Sequence, residues 1–328
     1  MAEQESASPG RHVLLTGGSS GIGLRAAQQL LAAGHPISVV CRDDATAKRL
    51  RQILSGDLKT VIMDLADLDS VARGADSLIR AARPIDSLVL NAGLQYSGAR
   101  EPRWSAQGHE LTLAVNHLAH QSLLQRLLPL LLQAPAPRLV ITASEVHDPA
   151  TAGGRVGPPA DLGDLAGLRK GPGAPMVDGG AFHAEKAYKD SKLCNVLMAR
   201  QVARQLAEQL SARSCPPVIA WSPGLVIPRG EGGFFRDSRR FNPVGQALFA
   251  FVARDLLRIT ETPARAGALL AGLATGSLGE AAGFQYWSNR LVRPGQLRFA
   301  ATAPSAAARS DALAADLWRV SAQAVGLG

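Results

Sequence analysis

The stretch Tyr188-Lys189-Asp190-Ser191-Lys192 carries the clearest catalytic signal in this 328-residue chain. It opens a helical run, and because positions i and i+4 share one helix face, Tyr188 and Lys192 should point the same way. An ammonium group beside a phenol favours the phenolate, so we expect Lys192 to lower the pKa of Tyr188. The pair therefore predicts a proton donor or acceptor that works near neutral pH.

Two further polar residues are candidates for the same site. Ser144 follows an apolar run at 138–142, and could hydrogen-bond either a reacting oxygen or the Tyr188 hydroxyl, with Thr142 as its nearest rival. Asn116 lies in the helical stretch 114–117 and could anchor a water that links Lys192 to solvent. The alternative for Asn116 is an amide that only satisfies a backbone group.

A glycine-rich turn near the start of the chain predicts a dinucleotide site. It lies between an apolar strand-like run at 12–16 and a helical pattern, so free N–H groups and the positive end of the helix dipole would face a pyrophosphate. The residues expected to hold the cofactor here are Thr16, Gly17, Ser19, Ser20, Gly21, Ile22 and Gly23.

Later strand ends predict the rest of the cofactor site. Arg42 follows the second apolar run, where it could pair with a 2′-phosphate, and this favours NADPH over NADH although Asp43 and Asp44 come next. The remaining residues expected to contact the cofactor are Asp64 and Leu65 at the adenine, Asn91, Ala92 and Gly93 at the floor, Pro223 and Gly224 after the sixth run, and Tyr188 and Lys192.

The elements that must position these residues alternate between short β-branched runs and helical patterns. This alternation predicts an α/β fold, a Rossmann-type doubly wound parallel sheet in three αβα layers. The predicted strands are 12–16, 37–41, 60–63, 87–90, 138–142 and 217–221.

Two irregular segments interrupt the alternation. We predict a flexible tail at 1–10 and a single domain over 11–328, with an active-site insertion at 146–183 and a substrate lid at 223–242. The lid holds Phe234, Phe235 and Phe241, which could cover an apolar pocket or pack inward. The bland alternative for both segments is a tolerated surface insertion.

Composition narrows the class of protein. The net charge of +8 comes from scattered arginines, which argues against a nucleic-acid site. Three cysteines without metal-ligand spacing predict no disulfide framework, no metal and a reducing, cytoplasmic location. No apolar run is long enough to span a membrane. The amphipathic stretch 244–257 is expected to pack on the sheet, with peripheral membrane contact as the alternative. Whether the chain forms a homo-oligomer stays open.

Taken together, these motifs resemble the short-chain dehydrogenase/reductase family over roughly residues 11–225. The family's glycine loop matches Thr16 to Gly23, its Asn-Ala-Gly matches Asn91 to Gly93, and its catalytic tetrad matches Asn116, Ser144, Tyr188 and Lys192. The resemblance implies an NADPH-dependent oxidoreductase.

Within the family, the helix 186–195, the long insertion and the C-terminal tail are similar to light-dependent protochlorophyllide oxidoreductases. That resemblance implies hydride transfer from NADPH to a tetrapyrrole ring double bond in chlorophyll biosynthesis, at a photosynthetic membrane, with Tyr188 or Cys194 as proton donor. Cys194 lies about 120° around the helix from Tyr188, so core packing is its alternative role.

Two segments depart from that branch, EVHDPATAGG after Ser144 and LVIPRGEGGFFRD after Gly224. They fall where substrate and nicotinamide would be contacted, so two other functions stay open. One is an NADPH-dependent carbonyl or retinol-type dehydrogenase acting on an apolar ketone or aldehyde. The other is a non-catalytic NADPH-binding sensor or scaffold.

Overall fold

One sheet of eight strands runs through the computed structural model, which describes residues 10–210, 215–227, 236–241 and 243–328. The strands are β1 (Val13–Thr16), β2 (Ile37–Cys41), β3 (Leu58–Ile62), β4 (Ser87–Leu90), β5 (Arg138–Thr142), β6 (Pro217–Ser222), β7 (Gly283–Arg293) and β8 (Gln296–Ala301). Their order is β3-β2-β1-β4-β5-β6-β7-β8, and only β8 runs antiparallel to its neighbour.

Helices cover both faces of this sheet. They are α1 (Gly21–Ala32), α2 (Asp44–Ile53), α3 (Leu68–Ala81), α4 (Leu111–Leu113), α5 (Ala119–Leu131), α6 (Ala152–Arg155), α7 (Ala166–Lys170), α8 (Ala184–Gln209), α9 (Arg236–Phe241), α10 (Pro243–Ala250), α11 (Pro263–Thr275) and α12 (Asp311–Ala324). One face packs on α3, α5, α8 and α12, and the other on α1, α2 and α11. The predicted three-layer α/β architecture is therefore confirmed.

Burial on both faces explains why the inner strands could be found from sequence. Leu14 of β1 contributes to one core, and its neighbours Val13 and Leu15 contribute to the other, so every residue of the strand is apolar or buried. The six predicted strands are confirmed, with β3 beginning and ending earlier than expected.

The strands β7 and β8 were missed by the sequence analysis. β7 mixes aromatic, amide and charged side chains, and β8 lies half-exposed at the sheet edge, so neither carries a continuous apolar run. The antiparallel β8 leaves the sheet mostly parallel.

The insertion at 146–183 folds as a packed segment against α8. The buried ammonium of Lys189 donates to the carbonyl oxygens of Gly154, Val156 and Pro158 at 2.6–2.9 Å. Three leucines of the insertion are also buried in the main hydrophobic core, so apolar packing holds the segment in place as well. Those leucines are Leu162, Leu165 and Leu168.

A second group of contacts ties the same segment to α8. Asp190 forms a 2.7 Å ion pair with Lys186, and its other oxygen accepts from the backbone N–H of Asp161. Lys186 also pairs with Asp178 at 2.9 Å. The charged residues on either side of Tyr188 therefore hold the insertion beside the site. They are Lys186, Lys189 and Asp190.

The stretch 244–257 does not pack on the sheet as predicted. It forms α10 and a π-helical turn, Phe251–Leu256, whose large apolar side chains remain largely exposed. The helix rests on α9 instead, and among the side chains described in this stretch the buried one is Ala253, which packs against Ile227. The exposed residues are Val244, Leu248, Phe251, Leu256 and Leu257.

Candidate active site

The turn between β1 and α1 has the shape that a pyrophosphate needs. Gly17 has φ +70°, and a Cβ there would lie 2.8 Å from the Cα of Ala92. A Cβ on Gly23 would overlap the Gly17 carbonyl oxygen. Ser20, the N-cap of α1, makes no side-chain cap bond, so the first N–H groups of the helix stay available to an anion.

Thr16 has a different role from the other residues of this turn. Its side chain is fully buried, and its hydroxyl oxygen accepts the N–H groups of Asn91 at 2.8 Å and Ala92 at 3.0 Å. The Asn91 amide returns a bond to the Thr16 carbonyl at 3.2 Å. Thr16 thus joins the ends of β1 and β4 rather than offering its hydroxyl to a ligand.

At the end of β2, Arg42 presents an exposed guanidinium. It pairs with Asp43 at 3.1 Å, but the Asp43 carboxylate also caps α2 by accepting the Thr46 N–H. The cap and Arg42 hold the pKa of Asp43 at about 2. Because the carboxylate is committed to the helix, Arg42 remains the group at this position that fits a 2′-phosphate.

The other expected cofactor contacts lie at the carboxyl ends of the parallel strands. Asp64, half-buried after β3, accepts from Ala66 N–H at 2.9 Å, and Leu65 beside it packs on apolar neighbours. Gly224 has φ +77° in the turn after β6, and Asn289 of β7 donates to the Pro223 carbonyl at 3.2 Å.

The structure brings the four tetrad residues together. The side chains of Ser144 and Tyr188 are hydrogen-bonded to each other. The Lys192 Nζ lies 5.5 Å from the centre of the Tyr188 ring and donates to the Thr142 carbonyl at 3.2 Å. A Cβ on Gly93 would lie 3.3 Å from Asn116 Oδ1 and 3.4 Å from Lys192 Nζ.

Burial reverses the expected electrostatics of this pair. It raises the pKa of Tyr188, and the Ser144 hydroxyl only partly offsets that effect. It also lowers the pKa of Lys192 to about 7. The prediction that Lys192 lowers the pKa of Tyr188 is therefore wrong for this structure, because both groups lose more from desolvation than they gain from each other.

Asn116 lies in a π-helical turn, Ala114–Leu118, a feature often found at functional sites. Its amide nitrogen donates to the Leu94 carbonyl at 3.0 Å and to Ser191 Oγ at 3.0 Å, while its oxygen accepts the Leu94 N–H at 2.8 Å. Its side chain therefore fixes the loop after Gly93, which is the backbone-satisfying role that the sequence left as the alternative.

Cys194 lies in the apolar core beneath the site. It is fully buried among residues of the sheet and of α5 and α8, and burial raises the pKa of its thiol well above the usual range. The core-packing alternative is the one that this placement favours. Among the described residues all three cysteines are free and buried, and no group of metal-ligating side chains occurs.

Three aromatic rings form a cluster beside the loop after β4. Tyr96 stacks on Phe182 with ring centres 5.8 Å apart, and Phe241 of α9 lies 6.3 Å from Tyr96. Ser238 of α9 accepts the Ser97 N–H at 3.1 Å, which docks α9 on the loop after β4. Phe234 and Phe235 lie outside the described residues.

The sequence analysis missed three polar residues of this site. Asn195, one turn beyond Lys192, donates to the Thr142 carbonyl at 3.1 Å. His120 lies beside Asn116 and Thr16. Glu110 caps α4 and accepts from the Tyr96 hydroxyl. Spacing could have found the first two, because Asn195 follows Lys192 by three residues and His120 follows Asn116 by four.

Comparisons with known proteins agree with this geometry. The short chain dehydrogenase family model matches residues 11–155. The protochlorophyllide reductase of Chlamydomonas reinhardtii is 32% identical over 324 residues, which cover 96% of this chain and 77% of that protein. Protochlorophyllide reductase A of Oryza sativa subsp. japonica is 39% identical over 60% of this chain, but the matched part is only 54% of its own length.

Solved structures show the same fold. RhlG of Pseudomonas aeruginosa, determined as an active-site complex with NADP, is 25% identical with a TM-score of 0.60, covering 88% of this chain and 99% of that one. An uncharacterised protein from Mycobacterium paratuberculosis is 22% identical with a TM-score of 0.65, covering 96% and 93% of the two chains. In the part of the chain that the structure describes, no helix has both the length and the apolarity that a bilayer crossing requires.

Proposed function

Since the chain belongs to the short-chain dehydrogenase/reductase family, we propose that it is an NADPH-dependent reductase acting on protochlorophyllide or a similar tetrapyrrole. The observation that carries the proposal is the Ser144–Tyr188 hydrogen bond, with Lys192 beneath the same ring and Gly93 alongside. The partly exposed rings of Phe182 and Phe241, which pack on the buried ring of Tyr96, support a flat, apolar substrate.

The residues present fit NADPH. The glycine turn leaves no room for side chains where a pyrophosphate would approach, the first N–H groups of α1 carry no cap, and Arg42 is exposed beside the end of β2. When bound, NADPH supplies the hydride. The chain's part is to hold the nicotinamide end between the Asn91-Ala92-Gly93 floor and the Tyr188–Lys192 face of α8.

Tyr188 is our candidate for the proton donor. Its hydroxyl keeps its proton near neutral pH, because burial raises its pKa, so it is available as an acid. Ser144 orients that hydroxyl through their hydrogen bond. Cys194 is a weaker candidate, since its thiol is enclosed by the core. Lys192, whose pKa lies at about 7, can replace the proton that Tyr188 gives away.

A mixture of protein, NADPH and protochlorophyllide tests the proposal. The mixture is kept in the dark and then illuminated, and absorbance is scanned before and after. We expect a red-shifted product band that forms only after light and only with NADPH. If no product band formed in the light or in the dark, the result would contradict a tetrapyrrole substrate.

A second candidate function is an NADPH-dependent reductase of apolar ketones or aldehydes. The direct Ser144–Tyr188 hydrogen bond favours it, because this pair could bind a carbonyl oxygen and protonate it without light. Steady NADPH oxidation in the dark with apolar aldehydes would support it. NADPH binding without turnover of either substrate would instead support a sensor or scaffold. The cytoplasmic location, peripheral membrane contact and homo-oligomer stay predictions.

A further inference from the structure

We propose that His120 is a positioning residue for the cofactor, which locks the floor under the nicotinamide end to Asn116 of the tetrad. This inference deepens the proposed function, since it assigns a role in NADPH binding to a buried imidazole. His120 lies in the first turn of α5 and has no exposed surface. It touches no surface from which a ligand could reach it, so it acts only through its neighbours.

The hydrogen bonds of the His120 ring define one tautomer. Nδ1 lies 3.0 Å from the Asn116 carbonyl oxygen, and a carbonyl only accepts, so Nδ1 carries the proton. In the neutral ring Nε2 then has a lone pair, and the Thr16 hydroxyl 3.0 Å away must donate to it. Thr16 in turn accepts the N–H groups of Asn91 and Ala92. The Thr16 hydroxyl thus donates to the ring and accepts two N–H groups, and the Val89 carbonyl, 3.5 Å from the same hydroxyl, is its more distant acceptor.

The imidazole ring of His120 must stay neutral for this series of hydrogen bonds to persist. Burial lowers the pKa of His120 to about 3, and the nearby Lys192 and His117 add to the effect, while the bond to the Asn116 carbonyl opposes it. A cationic ring would carry a proton on Nε2 and could no longer accept from Thr16. Across the pH range of a functional assay, the donor and acceptor of each hydrogen bond in this series therefore stay the same.

The consequence is a continuous path of short bonds from the nucleotide turn to the catalytic helix. Thr16 ends β1, Asn91 and Ala92 end β4, and Asn116 contacts Ser191 of α8 at 3.0 Å. Without His120, the Thr16 hydroxyl keeps only the Val89 carbonyl, 3.5 Å away, as an acceptor, and the Asn116 carbonyl loses a donor, both in a site closed to water. Unpaired buried groups of this kind shift the backbone that carries them.

Nuclear magnetic resonance of the ring nitrogens tests the geometry without any ligand. In the NADPH-free protein with ¹⁵N-labelled histidine, we expect His120 to show the Nδ1–H tautomer between pH 6 and pH 8. A signal from the Nε2–H tautomer or from the imidazolium would overturn the proposal. Thr16→Val should change this signal, and Thr16→Ser should leave it in place.

NADPH affinity, followed by the fluorescence of the bound cofactor, tests the role. We expect His120→Leu and Thr16→Val each to raise the Kd about tenfold, the effect of one unsatisfied buried group. Thr16→Ser, which keeps the hydroxyl, should stay within about twofold. The double variant should be no weaker than the poorer single variant, because both break the same path.

His117→Leu is the matched control. His117 is as fully buried as His120 and lies one turn earlier, but its ring contacts Ser321 of α12 at 2.9 Å and the side chain of Asn195 rather than Thr16. The control should lower the melting temperature and leave the Kd unchanged. An equal rise in Kd for His117→Leu, or additive effects in the double variant, would reduce His120 to a stability role and overturn the inference. If the unaltered chain bound no NADPH, the proposed function would fail, while the tautomer measurement would still decide the His120 geometry.

Discussion

Two sides of the same cleft are built in opposite ways. On the cofactor side, the ends of β1, β4 and β5 and the start of α8 are joined by buried hydrogen bonds through Thr16, Asn116 and Thr142. On the predicted substrate side, α9 docks through Ser238, and the described large apolar side chains of α9 and α10 are largely exposed to solvent. The difference indicates that polar geometry positions the cofactor, whereas apolar area would bind the substrate.

Replacing Tyr188 with Phe should produce the largest effect and sharpens the comparison at the point where the two sides meet. Loss of the proton donor should lower kcat by about a hundredfold or more. The Kd for NADPH should change little, because the ring and Lys192 remain. Cys194→Ser is the comparison variant and should keep most of the activity. Full activity of Tyr188→Phe would exclude Tyr188 as the donor.

Gly23→Ala should weaken cofactor binding without affecting the substrate side. The new Cβ would overlap the Gly17 carbonyl oxygen and lie 2.8 Å from Asn91 Nδ2, so the glycine turn must shift. We expect the Kd for NADPH to rise roughly five- to 150-fold, as about one to three kcal/mol of overpacking implies. Gly34→Ala, with φ +80° but open space around it, is the control for general strain. Equal losses in both variants would contradict the role of the turn.

Arg42→Ala should change the preference for NADPH over NADH, because it removes a contact that only NADPH would make. If Arg42 pairs with the 2′-phosphate, its removal should weaken NADPH binding about tenfold and leave NADH binding unchanged. Titrating both cofactors against the variant and the unaltered chain measures the ratio. An unchanged NADPH-to-NADH ratio would mean that Arg42 serves only its neighbour Asp43.

Lys192→Met should show that the buried Lys192 ammonium lowers the folding stability of the chain before the cofactor binds. The pKa of Lys192 is about 7 in the folded chain, below its unfolded value, so the unfolded state binds more protons between roughly pH 7 and pH 10.5. The stability of the unaltered chain should therefore rise with pH across that window. The variant should gain about several degrees in melting temperature below pH 7, with the gain fading above about pH 10.

Lys189→Met is the matched control for that measurement. Lys189 is equally enclosed, but it donates to three carbonyl oxygens of the insertion, so its loss should lower the melting temperature. A Lys192→Met protein that melted lower than the unaltered chain at pH 7 would show that the bond to the Thr142 carbonyl outweighs the cost of burial.

Phe241→Ala should have the smallest effect and probes the substrate side. The ring is 48% exposed and meets the rest of the site mainly at Tyr96. We expect a KM for the apolar substrate raised about two- to fivefold, with the melting temperature and NADPH affinity unchanged. A change in NADPH affinity would show that the two sides are coupled, contrary to the contrast drawn above.

Much of the cofactor side could be predicted from the sequence, because its signals are local. The glycine turn requires residues without a Cβ at fixed spacing, and Tyr188 and Lys192 share a helix face whatever surrounds them. The inner strands were found for the same reason, since burial on both faces leaves a continuous apolar run. The residues of the lid and the other candidate site residues remain predictions that the variants above can test.

The order of the first six strands, the glycine-rich turn and the spacing of the four candidate catalytic residues could be predicted from the sequence, because each depends on neighbours along the chain. Only the tertiary structure decided that Thr16 and His120 form one buried path, that Cys194 lies in the core, and that the Tyr188 pKa rises rather than falls. These outcomes depend on how much water the packed elements exclude and on which distant groups they bring together. Neither quantity is encoded in the spacing of residues along the chain.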